Sequence, residues 1–169
     1  TLLLISSNKR LRQIAEMLRP RLAAKNITVF DTISDARAVQ AFLDTPQAVL
    51  IGSERFGEGL DIPGPSLSLV ILEKINEAMT RSPLAEARKK KLQNAVFEYD
   101  FPMRMIWLKQ RVGRLIRSVD DRGAIVVFDA RYFNWSQGSR DRVIQAVAPI
   151  PVVPATPPRI VDELQRMDL

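Results

Sequence analysis

The chain has 169 residues, enough for one domain with a sizeable core, and is 46% hydrophobic and 26% charged, with a net charge of +6. It has no cysteine, which excludes disulfides, thiolate metal sites and a cysteine nucleophile, and no histidine, which removes the commonest general base and metal ligand. The basic balance leans toward a polyanionic partner, and no apolar run approaches the length of a membrane span.

Leu2–Ile5 predicts a buried strand, followed by a helix from about Asn8 to Leu22. Asn8 is its expected N-cap, and Leu11, Ile14, Ala15, Leu18 and Leu22 form its apolar stripe. Ile27–Phe30 predicts a second strand, about Ser34 to Leu43 a helix, and Ala48–Ile51 a third strand. Leu67–Leu72 and Ala124–Phe128 are the fourth and fifth strands, with a helix beginning near Pro102 between them. A helix from about Ser139 to Val147, a short strand within Pro149–Pro154 and a helix from Pro157 to Met167 close the chain. The stretch at about 76–96 breaks this rhythm and reads as a basic insertion beyond the sheet. Its run Arg88-Lys89-Lys90-Lys91, expected on a helix, is either a solvated face or a contact for a phosphate backbone.

Continuous apolar strands separated by helices imply an α/β fold in three layers, a mostly parallel sheet with helices on both faces. Ligands of such sheets gather beyond the carboxyl ends of the strands. The chain starts at Thr1 inside an apolar run and without Met, so it is expected to be a piece of a longer, cytoplasmic polypeptide.

Two stretches carry candidate chemistry. Gln110-Arg111-Val112-Gly113-Arg114-Leu115-Ile116-Arg117 reads Q-x-x-G-R-x-x-R, and helical spacing puts Gln110, Arg114 and Arg117 on one face, with Leu108, Val112, Leu115 and Ile116 mostly opposite. Two guanidinium groups and an amide on one face suit a polyphosphate, because arginine stays charged and offers forked donors to phosphate oxygens. Taken alone, the pattern equally describes an amphipathic helix with a solvated basic face. After the third strand comes Gly52-Ser53-Glu54-Arg55-Phe56-Gly57-Glu58-Gly59-Leu60-Asp61-Ile62-Pro63-Gly64. Its glycines let backbone N–H groups approach a ligand, and Glu58 and Asp61 can meet a ribose hydroxyl, a metal-bound water or an arginine. Taken alone, this is also a tight surface loop.

In combination these stretches resemble a known family. Gly52 to Gly64 is similar to motif V of the DinG/XPD group of superfamily 2 helicases, typically G-x-x-x-F-W-E-G-V-D-x-x-G, and Gln110 to Arg117 to motif VI, Q-x-x-G-R-L-I-R. Leu3-Leu4-Ile5-Ser6-Ser7-Asn8 resembles motif IV. Tyr99-Asp100-Phe101-Pro102 resembles the lead into the motif VI helix, and Asp129-Ala130-Arg131 the D-x-R after the next strand. The resemblance covers nearly all of residues 1–169 and implies a single second, C-terminal RecA-like domain whose partner is the N-terminal RecA-like domain of the same polypeptide.

It further implies that ATP and Mg²⁺ are bound mainly by that other domain, with Arg114 and Arg117 reaching the γ-phosphate and Gln110 sensing the nucleotide. Gly59, Glu58 and Asp61 would line the nucleotide side, and Ser6, Ser7, Gly52 and Ser53 would contact single-stranded DNA. Members of the group act as ATP-dependent helicases with 5′-to-3′ polarity, and this chain alone is expected to hydrolyse nothing. No P-loop is present, no metal ligand is expected, and an iron–sulfur cluster, carried by many members, has no cysteine here to bind it. Gly57 stands where the family has tryptophan, and Lys74-Ile75-Asn76-Glu77-Ala78-Met79 replaces a proline- and phenylalanine-rich stretch. These departures leave open an alternative, a helicase-derived module that binds nucleic acid or protein without catalysis.

Overall fold

The computed structural model describes residues 1–33, 35–53, 67–75, 82–115 and 122–167, apart from the side chains of residues 114 and 115. The chain divides into two compact units. Thr1–Lys74, Arg114–Phe128 and Ala155–Leu169 form the first; Ile75–Gly113 and Asp129–Pro154 form the second.

The first unit is built on a parallel sheet of β1 (Leu2–Ile5), β2 (Thr28–Thr32), β3 (Ala48–Ser53), β4 (Leu69–Leu72) and β5 (Ala124–Val127). Its order is β2-β3-β1-β4-β5, with every described pairing parallel. Helices α1 (Asn8–Ala23) and α2 (Ala36–Leu43) connect the first three strands. The chain moves outward from β1 to β2 and back to β3, so right-handed crossovers carry α1 and α2 over opposite faces. That is the expected three-layer α/β arrangement.

Strand alternation divides the core. Ile5 and Ile51 pack with Leu11 and Ala15 of α1, flanked by Leu3, Val29 and Val49. Leu2, Leu4, Leu50, Val70 and Leu72 are buried on the other face. Each such aliphatic side chain gains about 1.5–3 kcal/mol on leaving water. An ion pair from Arg19 to Asp31 ties α1 to β2.

The second unit holds α3 (Pro83–Lys89), a π-helical turn (Val96–Asp100) leading into α4 (Phe101–Leu115, its last two residues counted with the first unit), a 3₁₀ turn (Ala130–Asn134) and α5 (Gln137–Val147). Aromatic rings fill much of it: Phe101 meets Trp135 edge-on at 5.4 Å, and Tyr132 lies 6.0 Å from Trp135. The last helix, α6 (Pro157–Arg166), belongs to the first unit.

Three expectations are corrected. Asn8 is the first helical residue and Ser7 the N-cap. The basic run leaves the helix at Lys89, so Lys90 and Lys91 lie beyond α3. Residues 151–156 pair with no described strand, because Pro149, Pro151 and Pro154 have no N–H to donate to a ladder.

Candidate functional site

In a parallel sheet all carboxyl ends lie along one edge, and here that edge gathers the serines that the motif IV and V resemblance singles out. Register pairs Ile5 with Ser53 and Leu4 with Gly52, so Ser6 and Ser53 leave neighbouring strands at the same level. Gly52 is buried, held between Leu4 and Thr32. The Ser53 hydroxyl donates to the Ile33 carbonyl at 3.2 Å.

Ser6 is occupied by an acid that the motifs did not point to. Glu73, the first residue after β4, accepts the Ser6 N–H at 2.8 Å and the Ser6 hydroxyl at 2.6 Å. Arg10, on the first turns of α1, sits 2.7 Å from its other oxygen. Burial pushes the Glu73 carboxyl up, but the two Ser6 hydrogen bonds, with Arg10 and Lys74, outweigh it and hold the group below its usual range. One backbone N–H, one hydroxyl and one guanidinium form a donor set that suits any oxyanion.

Ser7 is the remaining expected contact. It occupies the N-cap of α1 in extended conformation, and its side chain makes no capping bond. The 16-residue helix therefore starts with first-turn N–H groups lacking a side-chain acceptor, at the positive end of its dipole.

The Q-x-x-G-R segment lies on α4 as the spacing predicts. Gln110 is exposed, while Leu108 and Val112 are buried. The helix continues through Arg114, four residues after Gln110. Gly113 is exposed, and among the described residues nothing lies within 4 Å of where a Cβ would stand. Arg111, outside the expected face, is buried: it is 2% exposed, with its guanidinium 5.1 Å from the centre of the Trp107 ring. The tryptophan one turn earlier was a signal for that stacking. The side chain of Arg114, and all of Arg117, Glu58, Gly59 and Asp61, lie outside the described residues.

The D-x-R triplet has a role that sequence alone did not supply. Asp129 accepts the Ile75 N–H at 3.1 Å, and Arg131 donates to the Ile75 carbonyl at 2.7 Å. The two side chains close on each other through bonds of 2.8 and 2.7 Å. Burial raises the Asp129 carboxyl, but Arg131 and the Ile75 amide prevail and keep it below its ordinary value. Both backbone groups of Ile75 are thus clamped. Among the described residues no three acids gather to hold a metal, and no helix is long and apolar enough to cross a membrane.

Residues 1–149 match the family model for the helicase C-terminal domain. The chain belongs to that family. Similar proteins include the ATP-dependent DNA helicase YoaA of Escherichia coli (strain K12), 35% identical over 133 residues, 76% of this chain and 21% of that protein. The ATP-dependent DNA helicase DinG of Photobacterium profundum is 34% identical over 149 residues, covering 82% of this chain and 21% of its own length. The protein named 3′-5′ exonuclease DinG in Bacillus subtilis (strain 168) is 28% identical over 138 residues, 77% of this chain and 15% of its own. The chain spans about a fifth or less of the length of these curated relatives.

Proposed function

We propose that the chain is the second motor domain of an ATP-dependent DNA helicase and works only beside a first domain that holds the nucleotide. The observation that carries this reading is the face of α4. Gln110 is exposed, Leu108 and Val112 are buried, and the helix runs on through Arg114 in a chain of the helicase C-terminal family. Arg114 and Arg117 then stabilise the charge that develops as the γ-phosphoryl group passes to water, and Gln110 orients them. Gly59, Glu58 and Asp61 serve the nucleotide side of the same cleft.

ATP and Mg²⁺ are held mainly by the other domain, this chain having no P-loop. An iron–sulfur cluster, if the whole protein has one, takes no ligand from this cysteine-free chain. At the strand edge, Ser7 and the uncapped start of α1 meet phosphates of single-stranded DNA, with Gly52 and Ser53 lending backbone. Ser6 is positioned by Glu73, which turns its hydroxyl proton inward. Alternate closing and opening of the two domains moves the enzyme 5′ to 3′ along one strand.

The test is Arg114→Ala in the full-length protein. DNA-stimulated ATP hydrolysis should fall by about 10³-fold or more, the scale of arginine-finger loss elsewhere, with the melting temperature unchanged. Near-normal turnover would sink the assignment, and hydrolysis by the isolated chain would contradict the half-site picture.

A further inference from the structure

The net charge is not spread evenly over the molecule. The second unit, Ile75–Gly113 with Asp129–Pro154, carries eleven basic and six acidic residues, a net +5; the remainder of the chain nets +1. The unit holding nearly all the excess is the one without the sheet, and so without the serines of the strand edge.

Within that unit the charge has a focus. Lys89 is spent internally: it bridges Glu86 at 2.7 Å and Asp100 at 3.2 Å, closing the segment from α3 to the π-helical turn into a loop. Arg88, Lys90 and Lys91, on either side of it, are exposed and form no ion pair among the described residues. The loop that Lys89 closes also presents Phe97, 47% exposed, with the Arg142 guanidinium 5.8 Å from its ring. Val96 beside it is 53% exposed. A solvated basic face explains the lysines but not a half-exposed phenylalanine in the same loop.

We infer that this surface, Arg88, Lys90, Lys91 and Arg142 around Phe97, is a second binding site for single-stranded nucleic acid, separate from the strand-edge contact. The cations track phosphates, and the ring offers a platform on which a base stacks whatever its identity. A duplex hides its base faces, so the site prefers single strands. An acidic protein would use the charges but has no need of the ring.

Binding of a fluorescein-labelled oligo-dT to the 169-residue chain, followed by polarisation across a salt series, tests this. Lys90→Ala with Lys91→Ala should weaken binding on the order of tenfold at low salt and flatten the salt dependence by about 1.4, two single-strand phosphate contacts' worth. Phe97→Ala should weaken it roughly fivefold or more at an unchanged salt slope, and Phe97→Trp should restore it. These positions are exposed, so each variant should fold, which its melting curve checks. Ser7→Ala, which alters only the strand edge, should leave both signatures in place, so failure of that contact is distinguishable from failure of this one. Equal affinity for oligo-dT in the lysine variant would overturn the site. So would displacement by polyglutamate as readily as by unlabelled oligo-dT, with Phe97→Ala silent, an outcome that would identify an acidic protein surface as the partner.

Discussion

Glu73 and Asp129 make an instructive pair. Both follow strands of the sheet, both are almost wholly buried at the side chain, and both are held by an arginine together with a backbone N–H. They differ in how many bonds they hold and how far along the chain they reach. Asp129 binds Arg131 two residues away through both carboxylate oxygens, and the same arginine returns to the Ile75 carbonyl. Glu73 reaches across 67 residues to Ser6, and its arginine is more exposed, at 58% against 39% for Arg131. The first is a closed clamp on the backbone. The second is an anion standing among donors that another anion can use.

The clamp should therefore cost more to break. Asp129→Ala leaves the Ile75 amide without its acceptor and takes a carboxylate away from Arg131. Removing one partner of a buried pair costs about 3–5 kcal/mol, and the partial exposure of Arg131 places this case near the lower figure. For a chain of this length that is roughly a 6–12 °C drop in melting temperature. Glu73→Gln keeps the shape and loses the charge, so about 1–2 kcal/mol is expected, hydrogen bonds to charged groups being the stronger kind. If the glutamine variant melts lower than the alanine variant, the contrast between clamp and loose anion is wrong.

Acid sharpens the same contrast. Both carboxyls titrate below their ordinary values, 4.5 for Glu73 and 3.8 for Asp129, so the native state favours their ionised forms. Their contribution is complete above those values and drains away as pH falls through the depressed ones. Melting temperature followed from about pH 6 down to about pH 3 should therefore fall, and fall less steeply in Asp129→Asn and Glu73→Gln. A wild-type slope retained by both variants would mean other carboxylates carry the acid sensitivity.

The pair also marks where reading the sequence stops. The strands were legible because runs such as Leu2–Ile5 and Ala48–Ile51 are apolar and largely buried. Within the described part of Q-x-x-G-R-x-x-R, the helical placement and the inward turn of Leu108 and Val112 followed from periodicity alone. D-x-R was legible as a triplet, but its target was not, since Ile75 comes to Asp129 only when β4 and β5 lie side by side. The partnership of Ser6 with Glu73 depends likewise on β1 lying beside β4, which no local pattern encodes. Arg111 lay outside the face drawn through Gln110, Arg114 and Arg117, and its burial against Trp107 becomes visible only in the structure. The strand expected in Pro149–Pro154 rested on apolarity and disregarded the donors that its prolines lack.

The smallest expected effect concerns Gly113. A glycine inside a helix costs about 0.5–1 kcal/mol relative to alanine, through backbone freedom lost on folding. Glycine is justified where a neighbour would collide with a Cβ, yet none of the described residues comes within 4 Å here. Gly113→Ala should therefore raise the stability of the isolated chain by about 0.5–1 kcal/mol, some 1–4 °C in melting temperature. If the exposed face of α4 is where a nucleotide-holding domain closes, the same methyl group would stand in that closure, and ATP turnover of the full-length protein should fall while stability rises. Opposite signs from one substitution would tie the glycine to closure against a second domain. A rise in stability with turnover untouched would mean that the open space beside Gly113 is only solvent.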